Sequence, residues 1–178
     1  MEALLLSLAL SSGTTFAQPP INTSVERRSS IRKEVSPNPA FQSLVRDYHM
    51  LLLELKPWYG TWVGIHRFDG TLENYEPGVR TARINRLREL QKCGDQIDPK
   101  KLSLRDRHDL KVVRAGIAEQ RFYLEELRNW ERDPGLYLNA ISSAITELVT
   151  KEGLSNTVRL RRVLQCEQKI PALLSSAR

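Results

Sequence analysis

Apolar residues return every three or four positions along most of the chain after Asn38, and each run is bounded by a capping residue, a proline or a glycine. That period is the helical one, and it leaves little room for any other secondary structure. In the first run, "NPAFQSLVRDYHMLLLELKP", Asn38 is placed to cap and Pro39 suits the first helical position. Phe41, Leu44, Tyr48, Leu51, Leu52 and Leu55 share one face, and Pro57 ends the run. The second, from about Pro77 to Gln91, turns Ala82, Ile84, Leu87 and Leu90 inward and Arg80, Arg83, Arg86 and Arg88 mostly outward. It stops at "CGD", with Gly94 as the left-handed terminator. The third opens on Ser103 and Asp106 at capping-box spacing, Asp replacing the usual Glu. Its seam of Leu110, Val113, Ile117, Leu124 and Leu127 runs through to Trp130. Asp133 and Pro134 begin the fourth, where Tyr137, Ile141, Ala144, Ile145 and Leu148 form a stripe that runs out at Gly153. Asn156 starts the fifth, with Leu160, Val163, Leu164 and Ile170 inward and Pro171 as an interruption. No strand-period run and no fixed-period repeat accompanies them. The expected fold is all-α, an antiparallel array of about five amphipathic helices over residues 38–178.

The residues before Asn38 differ in kind. "ALLLSLAL", Ala3 to Leu10, is too short to span a bilayer as a helix, so no stable membrane span is expected there. Thr15 and Ala17 then offer small or neutral residues before Gln18. Residues 1–17 read as a signal peptide cleaved between Ala17 and Gln18, although Glu2 stands where a lysine or arginine is usual. The mature protein is thus expected to be exported, periplasmic or secreted. Residues 18–37 are Ser-, Pro- and Arg-rich and read as a flexible lead-in.

Most chemistry-bearing motifs are missing. A metalloprotease helix needs two histidines one turn apart with a glutamate between them, and His49, His66 and His108 lie far apart. His49 and His108 read as helix-surface or cap-side residues. Glu125 and Glu126 are adjacent and point to different sides of a helix, so they cannot act on one atom. Asp106 and Asp109 are explained by a helix N-terminus. Cys93 and Cys166 have no second Cys or His at ligand spacing; they either pair in an oxidising compartment or stay free. The formal charge of +6 is moderate, and no aromatics interleave the groups at Arg80–Arg88 and Arg159–Arg162. A nucleic-acid partner is therefore not expected, and a basic nucleic-acid-binding helical protein is the least supported reading.

One connection stands apart. "PWYGTWVGIHRFDG" holds two of the three tryptophans, one histidine and three glycines between helical runs. Trp58, Tyr59, Trp62, Val63 and Ile65 need burial or a partner, which favours a packed corner. His66, Arg67 and Asp69 at its far end could line a cleft.

The order of landmarks resembles the N-terminal part of the bacterial "domain of unknown function 885" family, exported relatives of zinc metallopeptidases. The matching pieces are the first helix ending in Pro57, "GTWVGIHRFDGTLENY" with Trp62 and Gly64, "LSLRDRHDL", "LRNWERDPGLYL" with Trp130, Pro134 and Tyr137, and "IPALLSSAR". The resemblance implies a longer, mostly helical hydrolase whose zinc motif, a His-Glu and a later Pro-Gly-His-His, has no counterpart here. It implies no catalytic residue, no metal ligand and no cofactor in this chain, with zinc and a peptide-like substrate belonging to a full-length parent. The partner would be the missing C-terminal part of the family domain, since the chain stops at "LLSSAR" without a breaking signal. The alternative is an exported all-α binding or scaffold module, complete as it stands.

Overall fold

Proline and short polar side chains set where the helices begin. The computed structural model describes residues 38–177; the signal-peptide and lead-in readings, with Ala17 and Gln18, lie outside the described residues. Helix α1 spans Pro39–Leu55, α2 Pro57–Val63, α3 Pro77–Gln96, α4 Leu104–Arg121, α5 Asn129–Arg132, α6 Pro134–Thr150, α7 Asn156–Glu167 and α8 Ile170–Ser175. Short 3-10 turns cover His66–Phe68 and Pro99–Lys101, and a π turn covers Phe122–Leu127. The fold is all-α, without a strand among the described residues.

Pro39, Pro57, Pro77 and Pro134 each open a helix, where the missing N–H costs nothing. Asn38 Oδ1 accepts from the Phe41 amide at 3.0 Å, and Asp133 Oδ1 from the Gly135 amide at 2.8 Å. Ser103 Oγ accepts from the Asp106 amide at 3.1 Å and donates to Asp106 Oδ2 at 2.6 Å. The cap bond of the box read from the sequence is therefore present, while Asp106 accepts from the Ser103 hydroxyl rather than from its backbone N–H.

Two apolar clusters form. The first joins α1, α3 and α4 through Leu51, Leu87, Leu110 and Ile117, all shut off from solvent. The second joins α6, α7 and α8 through Ala144, Leu148, Cys166 and Leu173, and takes in Leu72 and Tyr75 from the loop before α3. Helix α2 packs on both α1 and α6. The chain from Pro57 to Tyr75 thus runs between the clusters and contributes to the second one.

Five expectations are corrected. Helix α3 does not stop at Gly94: it continues to Gln96, with Gly94 helical and buried. The reason is Arg114, whose Nη2 donates to the carbonyls of Gly94 at 2.7 Å and Ile97 at 3.1 Å, supplying from α4 the donors a left-handed glycine would have arranged. The third helix does not run to Trp130. A π turn follows Arg121 and ends at Arg128, whose φ of 51° is left-handed. The wider turn rotates Leu127 out to solvent with Phe122 and Tyr123. Ala82 is exposed while Arg83 turns inward, because its guanidinium serves two backbone carbonyls. Leu160 and Leu164 are exposed, at 61% and 48%. The inward line of α7 runs instead through Arg159, Val163 and Cys166, with Arg159 Nη2 donating to the Lys151 carbonyl at 2.9 Å. Finally, Trp62 and Val63 are not packed away: Trp62 is 53% exposed.

Candidate functional site

The segment from Pro57 to Tyr75 carries two polar constellations, and both are built on buried carboxylates. Gly64 ends α2 at φ 83°, and Gly70 follows the 3-10 turn at φ 76°. The left-handed turn at Gly64 reverses the chain between Thr61 and Asp69, so that Asp69 comes back against Thr61. Gly70 is also where α7 comes closest: a Cβ there would lie 2.5 Å from Gln165 Oε1 and 3.1 Å from its Cβ.

In the first constellation the Thr61 hydroxyl donates to Asp69 Oδ1 at 2.6 Å. His66 Nδ1 lies 2.9 Å from Asp69 Oδ2. Thr61 and Asp69 are buried, whereas the imidazole is open to solvent. A carboxylate at Nδ1 selects the tautomer with the proton there and leaves Nε2 as the acceptor. Arg67 is exposed beside it, its guanidinium 5.6 Å from the Phe68 ring centre. The three cleft candidates therefore divide: Asp69 and His66 meet directly, and Arg67 stands next to them without joining.

The second constellation was not visible in the sequence. Glu73 is 8% exposed. Its Oε1 accepts from Trp58 Nε1 at 3.2 Å, and its Oε2 accepts from the Tyr75 hydroxyl. Burial raises the Glu73 carboxyl above its ordinary range, against the Tyr75 hydrogen bond, the Lys56 charge, the Trp58 hydrogen bond and the Arg83 charge. Burial, with the Glu73 charge, pushes the Tyr75 hydroxyl up as well. Burial lowers Arg83, whose Nη1 donates to the Asn74 carbonyl at 2.5 Å and Nη2 to the Glu54 carbonyl at 2.6 Å. Tyr75 continues inward to Tyr137, edge on, with ring centres 5.3 Å apart. Nothing in "TLENYEP" marks its glutamate as buried; the signal lies in the aromatic donors that fold onto it.

The remaining landmarks are structural. Trp130 is held by a bond from its Nε1 to the Leu124 carbonyl at 3.2 Å and lies under the Arg80 guanidinium, 3.4 Å from the ring centre. The Tyr137 hydroxyl donates to the Trp130 carbonyl at 2.5 Å, and Pro134 opens α6. Trp62, open on one side, stacks on Tyr59 at 5.5 Å and its carbonyl accepts from Lys151 Nζ at 2.5 Å.

His49 and His108 are exposed on helix surfaces. Asp106 is buried as a cap and Asp109 exposed, so they do not converge. Glu125 pairs with Arg121 at 2.6 Å and with Arg88 at 2.5 Å, which holds its carboxyl below the usual range, the Arg121 bond contributing most; Glu126 faces solvent. Cys93 is exposed and Cys166 buried, and the two are not bonded.

A metal ion finds no ligand set among the described residues. His66 and Asp69 bond each other, and the Thr61 hydroxyl takes the other oxygen of Asp69. Among the described residues no helix is long and apolar enough to cross a membrane. No family model matches the sequence, and comparison with curated proteins and with solved structures gives no match.

Proposed function

We propose that this chain is the N-terminal helical region of an exported, zinc-peptidase-like hydrolase and performs no chemistry by itself. Its part is to fold as a scaffold and to hold His66, with Arg67 beside it, on the rim of a cleft that the rest of the protein completes. The observation that carries this reading is the run of contacts from Thr61 through Asp69 to His66. A carboxylate fixed from within presents one open imidazole in a set orientation, which suits substrate binding or proton transfer once a partner group faces it.

A second support is the apolar line of Leu160 and Leu164, one turn apart on α7 and open to water. Such a line fits a surface that another part of the protein covers. Export rests on the apolar run from Ala3 to Leu10 and the small residues around Ala17. Peptide is the substrate class the resemblance implies for the parent. Purified chain assayed on a peptide mixture, with and without a chelator, should show no turnover. Chelator-sensitive peptide hydrolysis by the chain alone would overturn the proposal.

The alternative, a self-contained exported binding module, draws on the two closed apolar clusters. It predicts a monomer with a sharp, reversible melt, where a region lacking its cover should melt broadly or associate.

A further inference from the structure

A cleft of about 380 Å³ opens where α1, the start of α2, the loop after the 3-10 turn and α3 meet. Its volume falls in the range of small-molecule sites. Phe68 and Val79 make the accessible apolar wall, backed by the buried Leu51, Pro57 and Leu72, and Ala82 sits on the rim. Two guanidiniums and one carboxylate share the polar edge: Arg83, Arg86 and Glu54.

That edge keeps one charged fork open. Arg86 spends a single amino group, Nη1, on both oxygens of Glu54, at 2.9 and 3.1 Å. Its Nη2 and Nε remain as donors in a fork that matches a carboxylate. Arg83 is bonded only to the neutral carbonyl oxygens of Asn74 and Glu54. Glu73, the other acid near Arg83, is committed to Trp58 and Tyr75. Glu54 and Glu73 both act on Arg83 by charge, and the group left open at the edge is the Nε–Nη2 fork of Arg86 beside an apolar surface.

We propose that the cleft binds an apolar carboxylate, its tail along Phe68 and Val79 and its head at Arg86. A medium-chain or aryl acid has this chemistry, and so does an apolar C-terminal residue of a peptide. The cleft and the open fork of Arg86 hold whether or not the chain belongs to a larger hydrolase, so the failure of either proposal leaves the other standing.

The test is titration calorimetry on the whole chain with octanoate, octylamine, acetyl-Leu-Phe with a free C-terminus and the same dipeptide as its amide. Octanoate should saturate with a dissociation constant in the millimolar range or tighter, as expected for about ten heavy atoms. Octylamine should not compete. Arg86→Gln should weaken octanoate about tenfold by removing a charged fork. Ala82→Trp, at an exposed position, should block the cleft while leaving the thermal midpoint in place. The dipeptide acid binding more tightly than octanoate, with its amide inactive, assigns the site to peptide C-termini; octanoate alone assigns it to small acids. Octanoate that fails to saturate, that binds Ala82→Trp unchanged, or that octylamine matches would overturn the proposal.

Discussion

Removing the Glu73 side chain tests the account of the central segment most sharply. The carboxylate joins Trp58 of α2 to Tyr75, and Tyr75 meets Tyr137 of α6 edge on. Glu73→Ala leaves the indole N–H and the Tyr75 hydroxyl without their acceptor in a nearly dry site. At about 1–3 kcal/mol for each stranded donor, the loss is about 2–6 kcal/mol, less whatever is gained by no longer burying a charge. With a urea slope of about 1–3 kcal/mol per M, a loss of about 3 kcal/mol lowers the midpoint by about 1–3 M. Glu73→Gln keeps one acceptor oxygen and carries no charge, so it should cost much less. The two variants also differ in pH behaviour. Burial raises the Glu73 carboxyl in the folded state above its unfolded value. Its favourable contribution is therefore complete below the unfolded value, about 4.3, and is lost as the pH rises through the folded one. Relative to Glu73→Gln, the natural protein should be most stable in acid and lose ground as the pH rises above about 4. Urea titrations of all three proteins at several pH values, followed by far-UV circular dichroism, measure both effects. A Glu73→Ala cost under about 0.5 kcal/mol, or an advantage of glutamate over glutamine that grows with pH, would refute the reasoning.

Other outcomes follow from single positions. Leu110, fully buried between α1, α3 and α4, should cost about 2–5 kcal/mol as alanine, whereas Leu160→Ala should leave the urea midpoint nearly unmoved. Gly70→Ala must place a Cβ at φ 76° and push Gln165 aside, so thermal melts should show a loss of at least about 1–2 kcal/mol. Ser103→Ala, which removes the cap of α4, should cost about 0.5–2 kcal/mol and speed amide exchange in the first turn of that helix.

The helices were legible because their signals are local. Asn38, Ser103 and Asp133 cap where their positions before apolar runs indicate. The mistakes arose where a distant group overrode a local one. Gly94 stays helical because Arg114, twenty residues later, serves the last carbonyls of α3. Arg83 turns inward because Asn74 and Glu54 offer carbonyls there. The face of α7 is chosen by Cys166 and Val163 rather than by its larger leucines. At the candidate site, the proximity of His66 and Asp69 was readable from their spacing of three. Thr61 as a third member was not, since the left-handed turn at Gly64 brings it in. Glu73 stayed hidden because its partners come from fifteen residues upstream and two residues downstream.

The measurement that bears most directly on the proposed role is the intact mass of the native polypeptide, captured from its own cells with an antibody against residues 38–177. The account predicts a longer chain that begins near Gln18, continues past Arg178 into a segment with the His-Glu and Pro-Gly-His-His elements, and carries zinc. A native polypeptide that ends at Arg178, free of zinc and monomeric, would contradict it.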